Sequence, residues 1–161
     1  MEHPLRRPEE ILAYRPLKQI MAAKPETVWT VNASDTLMTA IRLMTSKNIG
    51  LVVVMDGNAI AGVLSERDCV RSLALGGNTL ETTAVAEIMV REIVTAEPYH
   101  TFSDCLRLMH EHQIRHLLVT EDGEAIGVLS IRDLLSEAVA HLAKVIGALE
   151  RERMTMLTST A

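Results

Sequence analysis

The segment Gly62-Val63-Leu64-Ser65-Glu66-Arg67-Asp68 returns 65 residues later as Gly127-Val128-Leu129-Ser130-Ile131-Arg132-Asp133, with six of the seven positions identical. A duplication of this kind constrains the fold more than any local propensity, because both copies must form the same supersecondary unit. The same shift carries Arg42-Leu43-Met44 onto Arg107-Leu108-Met109, Ile49 onto Ile114 and Val54 onto Val119. Ile20-Met21 meets Ile88-Met89 only at a shift of 68. The first copy therefore holds three extra residues around Lys24-Pro25-Glu26, ahead of Val28-Trp29-Thr30 and its counterpart Ile93-Val94-Thr95.

Each copy predicts a βαββα-like order. A short strand, Thr27 to Val31 or Glu92 to Ala96, leads into a helix whose apolar positions recur at the 3.6-residue period. These positions are Leu37, Ala40, Ile41, Leu43 and Met44 in the first copy, and Cys105, Leu106, Leu108 and Met109 in the second. The apolar runs Leu51 to Met55 and Leu117 to Thr120 read as buried strands. Asp56-Gly57-Asn58 and Glu121-Asp122-Gly123 carry hairpin chemistry, and second strands follow at Ala59 to Leu64 and Ala125 to Leu129. Ser65 and Ser130 then open the last helices. Gly76-Gly77-Asn78-Thr79 links the copies, and Val85 to Met89 predicts a short helix entering the second.

After Asp133 the pattern stays helical through Leu149, with apolar residues at Leu134, Leu135, Ala138, Val139, Leu142, Val145, Ile146 and Leu149. A stripe of that length calls for cover from the rest of the chain or from a second chain. Glu150-Arg151-Glu152-Arg153 reads as a solvated, self-compensating helix end.

Composition narrows the function classes. The chain has 161 residues, 48% of them hydrophobic and 23% charged, which is the balance of a soluble globular protein. Only 2% are aromatic, so aliphatic side chains and nine Met do the packing, Met38, Met44 and Met109 at helical spacing among them. A net charge of −5 argues against general attraction to nucleic acid. No apolar run approaches the roughly 18 to 20 residues of a membrane span, and Met1 to Pro16 lacks the apolar stretch of a secretory signal. A cytoplasmic location is expected. Cys69 and Cys105 are isolated and read as buried reduced thiols.

A tandem of such units, each carrying G-V-L-S-x-R-D before its last helix, an I-M opening, an R-L-M helix and a D-G turn, closely resembles the CBS-domain pair, or Bateman module. The resemblance runs from about Leu17 to Leu142 and is nearest to the small stand-alone bacterial pairs. It implies an α/β, α+β-like fold in which tandem βαββα repeats form one pseudo-two-fold module. The expected divisions are an N-terminal extension at 1–16, repeat one at 17–80, repeat two at 81–142 and a C-terminal helical extension at 143–161. One departure is visible: the family often has Pro in the first long strand, where this chain has Val53 and Leu118.

The family's members are mostly regulatory sensors of adenosine-containing ligands such as AMP, ADP, ATP, NAD or S-adenosylmethionine, bound in clefts that use both repeats. By matching position, one cleft is expected to contain Thr30, Ile49 and Gly50 with Arg115, His116, Ser130, Arg132 and Asp133. The other is expected to contain Thr95, Ile114 and Arg115 with Gly50, Leu51, Ser65, Arg67 and Asp68. Because Gly50 in the first copy corresponds to Arg115 in the second, the clefts are not expected to be equivalent. The one with Arg115, His116 and Arg132 should hold phosphate more tightly. A homodimer is also expected, with a regulated protein that the sequence does not identify and no catalytic cofactor. With no effector domain in the chain, the output is expected to pass to another molecule or to remain within the dimer.

The residue chemistry agrees with this assignment. A carboxylate such as Asp68 or Asp133 can accept from both ribose hydroxyls, as the ribose-binding acid of dinucleotide folds does. Ser65 and Ser130 stand at helix starts, where unpaired N–H groups favour an anion. Arg67, Arg71, Arg115 and Arg132 offer the bidentate geometry that suits phosphate. Adenine would rest on apolar walls and backbone amides around Ile49 and Ile114. Ser-x-x-Asp is equally the pattern of a helix cap, a role that coexists with ligand contact. His100, His110, His112 and His116 invite a metal reading. However, His110 and His112 stand two apart at a helix end and so point in different directions. Nucleophile, base and orienting group do not converge in any catalytic motif. A regulatory, non-catalytic module is therefore expected; the alternatives are a protein-interaction or dimerisation module with empty clefts and, last, a metal-dependent hydrolase.

Overall fold

The computed structural model describes residues 14–24 and 27–159, and its element order repeats as the sequence does. The first copy contributes α1 (Leu17–Ala22), β1 (Thr30–Asn32), α2 (Leu37–Lys47), β2 (Leu51–Asp56), β3 (Ala59–Ser65) and α3 (Glu66–Ala74). The second contributes α4 (Val85–Ile88), β4 (Thr95–Ala96), α5 (Phe102–Glu111), β5 (His116–Glu121), β6 (Glu124–Ser130) and α6 (Ile131–Ser159). Pro25 and Glu26 of the three extra residues, and residues 1–13 of the expected N-terminal extension, lie outside the described residues.

Each copy builds one three-stranded sheet, ordered β1-β2-β3 and β4-β5-β6. In the first, β1 runs parallel to β2, and β2 antiparallel to β3. In the second, Thr95 and Ala96 pair in parallel with Leu118 and Val119. Leu51 to Val54 are buried in succession, as a strand covered on both faces requires. The two hairpins use different turns. Gly57 takes φ +59° at the first central position of one, whereas Asp122 and Gly123 both take positive φ in the other, the requirement of a type I′ turn.

The first strand of each copy is shorter than the sequence predicts. Thr30–Asn32 replaces Thr27 to Val31, although the Val53 N–H still reaches the Trp29 carbonyl at 3.0 Å. Only Thr95–Ala96 remains of Glu92 to Ala96, because the backbone of Val90 just upstream is bonded in both directions to Val63 of β3. On α2, Leu37, Ala40 and Met44 are buried, and on α5 Cys105 and Met109 are. Leu106, expected on the same face as Cys105, is 42% exposed. A step of one residue turns it about 100° around the helix.

Helix ends repeat between the copies at the 65-residue shift. The hydroxyls of Thr36 and Thr101 accept the N–H of Thr39 and Asp104, capping α2 and α5. Both helices end in a left-handed residue, Asn48 at φ +52° and Gln113 at φ +54°. The N–H groups of Ile49 and Ile114 then donate to Met44 and Met109, each at 3.0 Å.

The opening helices are exchanged between the copies. Val85 and Ala86 of α4 donate backbone hydrogen bonds to the carbonyls of Asp35 and Ala33, which belong to the first copy. Leu17 and Lys18 of α1 make the corresponding bonds to His100 and Pro98 of the second. The described residues accordingly divide into two units that cut across the repeats, one of 14–24, 97–117 and 129–159 and one of 27–96 and 118–128. In the latter, Val31, Leu37, Met44, Val52, Val54, Leu64, Cys69, Val85 and Met89 form the core. The former buries Leu17, Ile20, Cys105, Met109, Leu117, Leu129 and Leu134.

Candidate functional site

The paired Ser-x-x-Asp segments form the same structure twice. At the start of α3, the Ser65 hydroxyl and N–H both donate to Oδ2 of Asp68, at 2.5 and 3.0 Å, and the Asp68 N–H donates back to the hydroxyl at 3.3 Å. At the start of α6, Ser130 donates to Oδ2 of Asp133 from both groups at 2.7 Å, with the same return bond from the Asp133 N–H at 3.3 Å. These are reciprocal helix caps that satisfy otherwise orphaned backbone donors. Each cap engages one carboxylate oxygen and leaves the other, Oδ1, outside it. The backbone next to each cap also repeats, with Glu66 N–H donating to the Gly50 carbonyl at 3.2 Å and Ile131 N–H to that of Arg115 at 2.8 Å.

Around Asp133 a charged cluster forms within one unit. Lys24 Nζ lies 2.5 Å from Asp133 Oδ2, both side chains being largely covered. Burial opposes ionisation of Asp133, but the Lys24 ammonium and the Ser130 donors outweigh it and hold the carboxyl below its ordinary value. His116, at the start of β5, is displaced as well. Burial, assisted by the charges of Lys24, Arg115 and Arg132, pushes its imidazole below the ordinary value against the pull of Asp133. The cluster therefore combines three cations, one carboxylate and one imidazole poised to stay neutral.

The sequence reading did not include Lys24. It lies in the three-residue insertion that the second copy lacks, so the alignment of the copies offered no partner to mark it. The exchange of opening helices is what brings that segment of the first copy to the Ser130–Asp133 cap of the second. Arg15 precedes the first repeat and likewise has no counterpart in the second copy. Its Nε donates to both carboxylate oxygens of the buried Glu137 on α6, at 2.9 and 2.8 Å, and this holds Glu137 below its ordinary value. Tyr14 stacks on Phe102 with ring centroids 4.0 Å apart and leans on His141 at 4.6 Å.

The remaining candidates divide between the units. Arg115, Arg132 and Ile114 share the unit of Asp133; Thr30, Ile49, Gly50, Leu51, Ser65, Arg67, Asp68 and Thr95 lie in the other. Thr30, Arg67, Thr95, Arg115 and Arg132 are exposed, and Ile49, Gly50 and Ile114 are half-buried. Leu51 is buried, so only its backbone is available to a ligand. His110 and His112 are exposed at the end of α5. Among the described residues no group of His, Cys, Asp and Glu is placed to hold a metal, and no helix is long and apolar enough to cross a membrane.

The family model for the CBS domain matches the chain twice, over residues 17–75 and 85–140. A solved protein with CBS domains from Burkholderia ambifaria is 40% identical, with a TM-score of 0.76 over 78% of this chain and 95% of its own. The mitochondrial CBS domain-containing protein CBSX3 of Arabidopsis thaliana is 38% identical over 112 residues, 66% of this chain. The match spans about half of that relative, 54% of its length. The CBS domain pair of protein MJ0100, solved with 5′-methylthioadenosine and S-adenosyl-L-methionine, shares the fold at 19% identity, with a TM-score of 0.66 over 76% of this chain and 98% of its own.

Proposed function

Because this chain belongs to the CBS-domain family and carries the domain twice, we propose that it is a cytoplasmic, non-catalytic regulatory module. Its ligand is an adenosine-containing molecule, AMP, ATP or NAD foremost, with ADP and S-adenosylmethionine in the same class. The observation that carries the reading is the cluster around Asp133. Lys24, Arg115 and Arg132 supply positive charge for phosphate, and Asp133 keeps Oδ1 outside its helix cap for a ribose hydroxyl. Ser65, Arg67 and Asp68 repeat the cap and its arginine in the other unit. The adenosine ligands held by the MJ0100 pair support the ligand class. Thr30, Thr95, Ile49, Gly50, Leu51 and Ile114 complete the proposed ligand contacts, with adenine on the backbone and apolar surface of the last four.

The module works as a homodimer and signals to a separate protein. Ligand acts as a switch to the extent that it binds two arrangements with different affinity. Calorimetry with AMP, ATP, NAD and S-adenosylmethionine tests this, comparing wild type with Asp68→Asn and Asp133→Asn, which keep an acceptor for the cap and remove the charge. At least one ligand is expected to bind well below millimolar and to weaken in one or both variants. If no ligand binds more tightly than about millimolar, roughly −4 kcal/mol, the reading is abandoned.

A second reading, an interaction module with empty clefts, is favoured by the exposed apolar residues of α6. Gentle purification separates the two: a co-eluting nucleotide absorbing near 260 nm supports the first, and its absence together with failed calorimetry supports the second.

A further inference from the structure

We infer that α6 carries the homodimer contact, as a parallel two-stranded coiled coil. The inference rests on the homodimer in the proposed function and is independent of its ligand. The apolar stripe expected along this helix divides in the structure. Leu134 is buried, and Ala138 and Val145 are half-buried. Leu135, Val139, Leu142, Ile146 and Leu149 are instead 51–68% exposed. These five follow one another at alternating steps of four and three residues, and Arg153 and Met156 continue the same spacing. A 4-3 alternation is the heptad seam that one helix offers to another helix.

The residue types in that seam specify the occupant. Val139 and Ile146 are β-branched and fall at the a positions, whereas Leu135, Leu142 and Leu149 fall at d. β-Branched a residues with Leu at d favour two strands in parallel, because each type then packs in the geometry that suits its own branching. Arg153 takes the next a position, where one polar residue fixes the register at some cost in stability. Glu152 precedes it at g, and in a parallel pair it lies beside the partner's Arg153, which answers the buried charge. The surface is self-complementary, so a two-fold axis along the seam closes the assembly at two chains.

Area and helix stability point the same way. Five or six half-exposed aliphatic side chains present about 100 Å² each, so two facing seams bury on the order of 1,000 Å², the threshold of a specific interface. From Leu142 onward the described residues of α6 are exposed or half-buried through residue 158. A stretch that includes Gly147, Thr155 and Thr158 is marginal as a lone helix in water. A facing helix supplies the missing packing.

Sedimentation equilibrium of the full chain tests the inference, with protection of the buried Cys69 and Cys105, one in each unit, from a disulfide reagent reporting that the glutamate variant is folded. Wild type is expected to be a dimer. The double variant Leu142→Glu/Ile146→Glu is expected to raise the dissociation constant at least a hundredfold while Cys69 and Cys105 stay protected. Under mild oxidation the Leu149→Cys variant is expected to form an intermolecular disulfide, because a d residue meets its own copy only in a parallel pair. A monomeric wild type overturns this inference and the homodimer together and leaves nucleotide binding standing. A wild-type dimer that survives the double substitution overturns the seam alone. Failure of Leu149→Cys to cross-link in a dimer that the glutamates dissociate overturns the parallel arrangement.

Discussion

Lys24 Nζ lies 2.5 Å from Asp133 Oδ2, joining an insertion in the first copy to the helix cap of the second. The contact connects electrostatics to stability in a defined pH range. Asp133 titrates below its unfolded value, so its contribution is present above the unfolded pKa, about 3.9, and is lost as pH falls through the lower folded value. Lys24→Met is expected to cost about 1 kcal/mol at pH 7, the size of a partly covered ion pair. In urea denaturation the gap between variant and wild type should narrow at pH 3. A gap that persists unchanged at pH 3 would show that Lys24 acts through packing instead. The substitution should also raise the pKa of His116, readable by proton NMR, because Lys24 is one of the cations that lower it.

Gly62 explains one residue of the duplicated segment. A Cβ at this position would lie 2.6 Å from the carbonyl oxygen of Val90, whose backbone is bonded to Val63 in both directions. Gly62→Ala must push that backbone away, at an expected cost of about 2 kcal/mol. Gly57→Ala is the control: nothing lies near its Cβ, and the positive φ alone should cost about 1 kcal/mol. Thermal or urea melts of the two variants would contradict this account if Gly57→Ala proved the more damaging.

Much of this architecture was legible because a duplication supplies its own control. The matches at Ser65 and Ser130 and at Asp68 and Asp133 located helix starts and caps that recur in the structure at the same shift. The exchange of α1 and α4 was not legible. Leu17 bonds to His100 and Val85 to Asp35, and a local period is silent about which copy a short helix joins. The change of shift from 68 to 65 marked the insertion but not where Lys24 would reach. Strand ends were also missed: Val90 bridges Val63, and the strand that follows begins only at Thr95.

Cys69 and Cys105 provide a test of core integrity. Both are buried and free, and burial, with the neighbouring charge of Asp68 or Asp104, pushes each thiol up to about 11. At pH 8 neither is expected to react with a disulfide reagent until the chain unfolds, because the thiolate is the nucleophile. Labelling followed by absorbance should give no signal from native protein and two thiols per chain in denaturant. Rapid labelling of one cysteine in native protein would mean that its unit opens on its own.

The two arginines of the repeated segment should differ in their effect on ligand binding, because their surroundings differ in charge. Arg132 belongs with Arg115 and Lys24 to the groups acting on His116, whereas the first-copy counterpart of Arg115 is Gly50. Phosphate bound near Arg132 therefore feels added cations, and a charge-assisted hydrogen bond there is worth roughly 1.5–3 kcal/mol. Arg132→Ala is expected to weaken the tighter site at least tenfold, and Arg67→Ala to affect chiefly the weaker one. The proposed inequality fails if calorimetry finds affinity unchanged in Arg132→Ala and abolished in Arg67→Ala. Both side chains are exposed, so neither substitution should move the melting temperature by more than a degree or two. A loss of binding can then be assigned to the ligand contact.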